Sequence, residues 1–236
     1  MVNFSIAVSS LRAAFDRQDV TANNIANALT PAFQPRRAHQ SELAAGGAAV
    51  DSVTRSGTGG APEPTGRPLD LAVAGQGYLA VDTPRGTRYT RLGAFGVDGS
   101  GRVVDSAGNR LMTGFAVPEN AVAVEVSRSG ELTATMADGS RNTLGRIPLY
   151  RFANPDGLEA VGGGLFSPGA ASGLAVAGEA GTGSFGEIIG GFLEGSGVEL
   201  SREITDEIAT RAALRAGIAS LRTQDQMLGE LLDLRG

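Results

Sequence analysis

Residues 2–29 read VNFSIAVSSLRAAFDRQDVTANNIANAL, and residues 200–233 read LSREITDEIATRAALRAGIASLRTQDQMLGELLD. In the first stretch Phe4, Val8, Leu11, Phe15, Gln18, Ala22, Ile25 and Leu29 lie alternately four and three apart, with only Gln18 polar. In the second, Leu200, Ile204, Leu214, Ile218, Leu221, Leu228 and Leu232 keep the same spacing, with Glu207, Arg211 and Asp225 at the intervening positions. A 3.5-residue apolar period makes a narrow seam that suits another helix, not a broad face for a globular core. The two ends are therefore expected to be helices that pair, either within one molecule or between many. Pro31 disfavours helical angles at Thr30, so the first helix is expected from about Asn3 to Ala28 or Leu29, and the second from about Gly197 to Leu234. Asn23, Asn24 and Asn27 crowd the last turns of the first. Asn is a poor helix former, and such a cluster points to side-chain hydrogen bonds at a helix end or across an interface.

Between the ends the pattern changes. Leu69, Leu71 and Val73 alternate with Asp70 and Ala72. Tyr78 to Asp82 leads through the turn Thr83-Pro84-Arg85-Gly86 into Thr87 to Arg91. Two near-copies follow, Val97-Asp98-Gly99-Ser100-Gly101-Arg102-Val103 and Val104-Asp105-Ser106-Ala107-Gly108-Asn109-Arg110-Leu111, each a turn flanked by apolar positions. Further strands are expected at 122–126, 132–136 and 147–152. The fold class is α+β: terminal helices pairing as a coiled-coil-like domain, with an inserted antiparallel all-β domain. The expected division is 1–34 plus 192–236 for the helical domain, 35–66 for a linker or irregular arm, 67–168 for the β-rich outer domain and 169–191 for a Gly-rich linker.

Composition removes most chemistry. The 236 residues include no Cys, a single His (His39) and 20 basic residues that are all Arg, so thiolate sites, disulfides, Schiff bases and the phosphate-loop Lys are excluded. A net charge of −5 leaves no basic footprint for nucleic acid, and no stretch approaches the roughly 20 apolar residues of a membrane span. The N-terminal stretch has neither the basic nor the apolar region of a cleaved export signal. Gly181-Thr182-Gly183-Ser184-Phe185-Gly186 has the spacing of a dinucleotide fingerprint but not its strand-before, helix-after context. The Asp98 and Asp105 loops lack the alternating oxygen ligands and terminal Glu of a calcium loop and read as turns. No catalytic residue, cofactor or metal site is expected. Glu203, Asp206 and Glu207 read as a charged helix face, with Glu207 and Arg211 spaced for an ion pair.

Asn23-Asn24-Ile25-Ala26-Asn27 followed by Thr30-Pro31-Ala32-Phe33 resembles the N-terminal signature of the bacterial flagellar axial proteins, the rod and hook family, in which a Gly usually stands where this chain has Ala32. The stretch from Thr65 through Val73 to Tyr78, with Tyr89-Thr90-Arg91, is similar to that family's central block. Leu144 to Ile147, Phe152 to Leu158 and Gly191 to Leu228 extend the likeness, which is nearest to the distal rod members, with the proximal rod members next. The resemblance implies a non-enzymatic subunit whose terminal helices pack into a hollow tube that crosses the periplasm, with the β-domain outside. The implied partners are copies of itself, other rod proteins, the hook protein, basal-body ring proteins and the flagellar type III export apparatus.

On that reading Phe4, Val8, Leu11, Phe15, Ile25 and Leu29 mate with Leu214, Ile218, Leu221, Leu228 and Leu232 in the same and neighbouring subunits, and Asn23, Asn24 and Asn27 fix the register. Before assembly, helices without a seam partner are expected to be largely disordered. The rival class is a secreted β-rich hydrolase using carboxylates such as Asp70 or Asp98, which requires two of them facing each other across a cleft.

Overall fold

The computed structural model describes residues 2–44, 46–56 and 59–233. Helix α1 (Val2–Ala26) opens the chain and α2 (Leu200–Asp233) closes it. Among the described residues eighteen strands lie between, in chain order β1 (Arg36–Glu42), β2 (Ala48–Arg55), β3 (Pro62–Pro64), β4 (Leu71–Ala74), β5 (Leu79–Thr83), β6 (Gly86–Thr90), β7 (Phe95–Val97), β8 (Val103–Asp105) and β9 (Arg110–Leu111). There follow β10 (Ala121–Val126), β11 (Glu131–Met136), β12 (Arg141–Arg146), β13 (Pro148–Arg151), β14 (Leu158–Gly162), β15 (Leu165–Pro168), β16 (Val176–Glu179), β17 (Glu187–Gly190) and β18 (Phe192–Glu194). The chain divides into two units: the helices with the β1–β2 hairpin, and the remaining strands together with residues 29–34.

The expected α+β class, with terminal helices and an antiparallel β insertion, is what the structure shows. Two segments differ from expectation. Residues 35–66 are not an irregular arm, because β1 and β2 pair over their whole length from Arg36↔Arg55 to Glu42↔Ala48, and β3 pairs with β18. The Gly-rich segment 169–191 likewise carries β16 and β17, which pair with β13 and β4. Backbone hydrogen bonds to a neighbouring strand make these segments regular; β1, β2, β3 and β16 bury too few side chains to leave a pattern in the sequence, and the buried Ile188 of β17 stands among glycines. Gly181 to Gly186 is the connection between β16 and β17, closed by the Gly181 amide donating to the Gly186 carbonyl, with no helix after it.

In the β-unit a seven-stranded sheet runs β14-β15-β6-β5-β9-β8-β7, beside a three-stranded sheet β10-β11-β12, with all pairings antiparallel. Strand β5 shows the period of two: Leu79 and Val81 enter one core with Leu71, Phe95, Leu132 and Ile188, while Ala80 and the adjoining Tyr78 enter a second with Tyr89, Phe152 and Leu158. Tyr78, Tyr89 and Phe152 meet edge to face in the second core. The two near-copy turns fold alike. Asp98 Oδ1 accepts from the amides of Ser100 and Arg102, and Asp105 Oδ1 from those of Ala107 and Asn109. These bonds, with that from the Arg102 side chain, hold the Asp98 carboxyl below the usual range.

One ion pair joins the beginning and end of this unit. Arg91 donates from Nε to Glu194 Oε2 at 2.8 Å, and its remaining nitrogens donate to the carbonyls of Val73, Gly75 and Gly77 at 2.7 to 2.8 Å. Both side chains are buried. Residue 59 must be Gly, since a Cβ there would overlap the Glu194 carboxylate. Burial pushes the Glu194 carboxyl up and Arg91 only partly pulls it back; its Oε1 has no hydrogen-bond partner among the described residues.

Two predictions follow from this packing. A carboxyl raised in the folded state keeps its proton to higher pH than in the unfolded chain, so its contribution is fullest below the unfolded value and is lost as pH rises through the folded one. The contribution of Glu194 to the resistance of the β-unit to urea should therefore fall from acid pH toward neutrality. Glu194→Gln should flatten that slope at little cost, whereas Glu194→Ala, which strands the buried guanidinium, should cost about 3 kcal/mol. Ala32 has φ +57° while its amide donates to the Glu194 carbonyl at 2.8 Å. Left-handed angles cost a residue with a Cβ about 1–2 kcal/mol, partly offset by the looser unfolded state of Gly, so Ala32→Gly should stabilise by about 0.5–1 kcal/mol in thermal unfolding.

Candidate assembly interface

Within the helical unit α1 and α2 run antiparallel, with Leu11 beside Gly217, Gln18 beside Glu207 and Asn24 beside Glu203. The heptad spacing splits between two faces. On α1, Leu11, Gln18 and Ile25 are half-buried, whereas Val8, Phe15 and Ala22 are exposed, Phe15 at 53%. On α2, Glu207, Leu214 and Leu221 turn inward, whereas Ile204, Arg211, Ile218 and Asp225 turn outward. Ile208, also outward, is 64% exposed. The in-chain seam is completed by small or polar residues: Ala14, Thr21 and Asn24 on α1, and Glu203, Thr210 and Gly217 on α2. A Cβ at Gly217 would come within 2.9 Å of the Leu11 side chain, so the close approach depends on that Gly.

A third face of α1 meets the hairpin. The turn between β1 and β2 brings Gly46 to Ile6 and Gly47 to Ser9, and Gln40 Nε2 donates to the Ala13 carbonyl at 3.3 Å. Asn24 is the node of the unit. Its Nδ2 donates to the Arg36 carbonyl at 2.8 Å and to Glu203 Oε2 at 3.1 Å, and its Oδ1 accepts from the Arg36 amide at 2.9 Å. Only 1% of it is exposed. Asn27, by contrast, donates to the Asn23 carbonyl and closes the helix end, where the Asn27 and Ala28 amides bond three residues back. The cluster thus does both things that Asn in this position can do. Gln18 Nε2 donates to Glu207 Oε1, which also accepts from Arg211; Glu207 Oε2 and Thr210 Oγ1 are buried without a partner among the described residues.

Of the expected seam residues, Leu11, Ile25, Leu214 and Leu221 lie inward, Val8, Phe15 and Ile218 outward, and Leu29 lies beyond the end of α1, 96% exposed. The side chains of Phe4, Leu228 and Leu232 fall outside the described residues. Sequence reasoning missed Ala14, Thr21, Glu203, Thr210 and Gly217. Their signal is recurrence every seven residues, Ala14 to Thr21 and Glu203 to Thr210 to Gly217, which interleaves with Leu11, Gln18 and Ile25 and with Glu207, Leu214 and Leu221 to complete a second 4-3 row.

The hydrolase reading finds no support in the placement of its carboxylates. Asp70 is buried at the entry to β4, 3.6 Å from Arg67 Nε, and Asp98 is held in its turn by Arg102. Among the described residues no three His, Asp or Glu side chains gather as a metal site, and no helix is long and apolar enough to cross a membrane. His39 shares a 2.8 Å hydrogen bond with Thr54 across the hairpin.

Comparison with known proteins points one way. Residues 4–34 match the family described as flagella basal body rod protein, and residues 72–134 match that described as flagellar hook protein FlgE/F/G D1 domain. The chain is 34% identical to the flagellar basal-body rod protein FlgG of Caulobacter vibrioides and 32% identical to that of Bacillus subtilis, in each case over 97% of both chains. It is 34% identical to the flagellar hook protein FlgE of Salmonella typhimurium over 118 residues, which is 50% of this chain and 29% of that protein.

Asn24→Ala should destabilise the helical unit by about 2–3 kcal/mol, because it leaves the Arg36 backbone groups and Glu203 unpaired in a buried place. Asn23→Ala, at an exposed position, should change it by less than about 0.5 kcal/mol. Hydrogen exchange of the α1 and α2 amides in the two variants measures the difference.

Proposed function

We infer that this chain, which belongs to the flagellar basal-body rod protein family, is a structural subunit of the bacterial flagellar rod and not an enzyme. It polymerises with copies of itself through its terminal helices into a hollow helical shaft. The observation that carries this reading is the row of large apolar side chains, Val8, Phe15, Ile204, Ile208 and Ile218, left in solvent on helices whose small and polar faces are already paired. A monomer with a satisfied core has no use for such a row, whereas a heterologous contact repeated without closure consumes it and yields an open filament.

The distal part of the rod is the favoured position, because likeness to the rod proteins runs the length of both chains while likeness to the hook protein covers only part of each. In that position the subunit crosses the periplasm, adjoins the hook protein, other rod proteins and the basal-body rings, and arrives through the flagellar type III export apparatus. The in-chain pairing supported by Asn24, Glu203 and Glu207 is polar enough to be remodelled as neighbours dock, since buried polar groups fix alignment at some cost in stability.

Phe15→Asp and Ile218→Asp should each raise the concentration needed for polymerisation roughly 10- to 100-fold, the equivalent of one large apolar side chain left unburied, at about 1.5–3 kcal/mol. Both variants should keep the far-UV helicity of the parent. Sedimentation of the assembled fraction reads the first effect. Normal assembly of both variants would refute the reading.

A further inference from the structure

The outward faces of the two helices carry charges in a definite order. Along α1 from N to C the unpaired ones are Arg12, Asp16 and Asp19, around Phe15; along α2 from C to N they are Asp225, Arg222 and Arg215, around Ile218, with Arg211 beyond them already paired to Glu207. All six are exposed, and none makes an ion pair among the described residues. Positive-negative-negative on one helix thus faces negative-positive-positive on the other when the two run antiparallel. We propose that α1 of one copy packs antiparallel on α2 of a neighbouring copy, with Arg12 on Asp225, Asp16 on Arg222 and Asp19 on Arg215, enclosing Phe15 and Ile218. The proposal rests on the reading of the chain as a self-assembling rod subunit and adds the partner helix, its direction and its register.

Helical rise makes the assignment selective. At 1.5 Å per residue, setting Arg12 level with Asp225 brings Asp16 within about 1.5 Å of Arg222 along the axis and Asp19 within about 4.5 Å of Arg215, both inside the reach of an Arg side chain. Sliding by about one turn, to put Phe15 level with Ile218, moves Arg12 beside Arg222. Parallel packing does no better: Asp19 against Arg222 brings Arg12 to Arg215, and Asp16 against Arg222 brings Asp19 to Asp225. Like charges so placed repel, and the apolar stripes alone would not choose between these alternatives.

The direction also selects the symmetry. Because α1 and α2 are antiparallel within one copy, rotation about and translation along an axis parallel to them preserve their directions, so one copy's α1 and the next copy's α2 are again antiparallel. A two-fold axis across the helices would make that pair parallel and set like charges together. The charge order therefore favours continued stacking over a closed dimer of that kind, the role that flanking charges play in setting orientation in coiled coils.

Charge exchange in the full-length chain tests this. Asp16→Arg with Asp19→Arg, and separately Arg215→Glu with Arg222→Glu, should each raise the critical concentration for polymerisation at least about tenfold. The chain carrying all four should return to within about threefold of the parent. Far-UV helicity is measured for each; should a double reversal lose helicity, the same comparison with Asp19→Arg and Arg215→Glu decides. If the combined chain assembles no better than its weaker parent while Phe15→Asp blocks assembly, the charge pairing is wrong and the rod reading stands. If Phe15→Asp assembles normally, the helical-seam reading itself is wrong.

Discussion

The structure depends on how little the two terminal helices hide from water when they pair. Their in-chain seam is built from Ala14, Thr21, Thr210 and Gly217, with Gln18 on Glu207 and Asn24 on Glu203, whereas Phe15, Ile204, Ile208 and Ile218 remain outside. Small residues let the helices approach closely, and the polar pairs favour one register, because sliding the helices takes Glu203 away from Asn24 and leaves its buried carboxylate without that donor. Pairing of this kind aligns the helices without exhausting their apolar surface. The surface left over is what a second copy can bury.

The β1–β2 hairpin belongs to the same device. Arg36 lends both backbone groups to Asn24, so the first residue of β1 is tied to the helix that precedes it, and the glycines at the hairpin tip allow the backbone to sit on Ile6 and Ser9. The β-unit stands on different physics: two apolar cores on either face of β5, and a buried Arg91 whose guanidinium satisfies three carbonyls as well as Glu194. That arrangement links the strand before α2 to the first strands of the unit, as a domain whose two ends both lead to the helical unit requires.

Much of this was legible in the sequence. The heptad spacing marked both helices, and the near-copies around Asp98 and Asp105 folded into matching turns because each local Asp chemistry is self-contained; Pro31 set the first helix's end at Ala28 or Leu29, whereas the helix closes at Ala26 through the tighter turn at Asn27 and Ala28. The hairpin was not legible. Strand β1, Arg-Arg-Ala-His-Gln-Ser-Glu, is polar and exposed almost throughout, so it shows no alternation, and it owes its shape to backbone pairing and to Asn24. Nor could spacing alone divide the apolar stripe. A 4-3 pattern marks two adjacent rows on a helix, and which row turns inward is decided by neighbours such as Gly217 and Thr210, whose own sequence signal is weak.

The absence of Cys permits a direct measurement of the central claim, that the outward row of each helix is buried by another copy. The full-length chain with Phe15→Cys and Arg222→Cys, which the proposed register sets level on neighbouring copies, is oxidised mildly as dilute monomer and again after polymerisation and resolved under denaturing conditions. The account predicts a ladder of covalently linked multimers from the polymer and single chains from the monomer. A monomer that closes the disulfide within itself, or a polymer that yields no ladder, would contradict it.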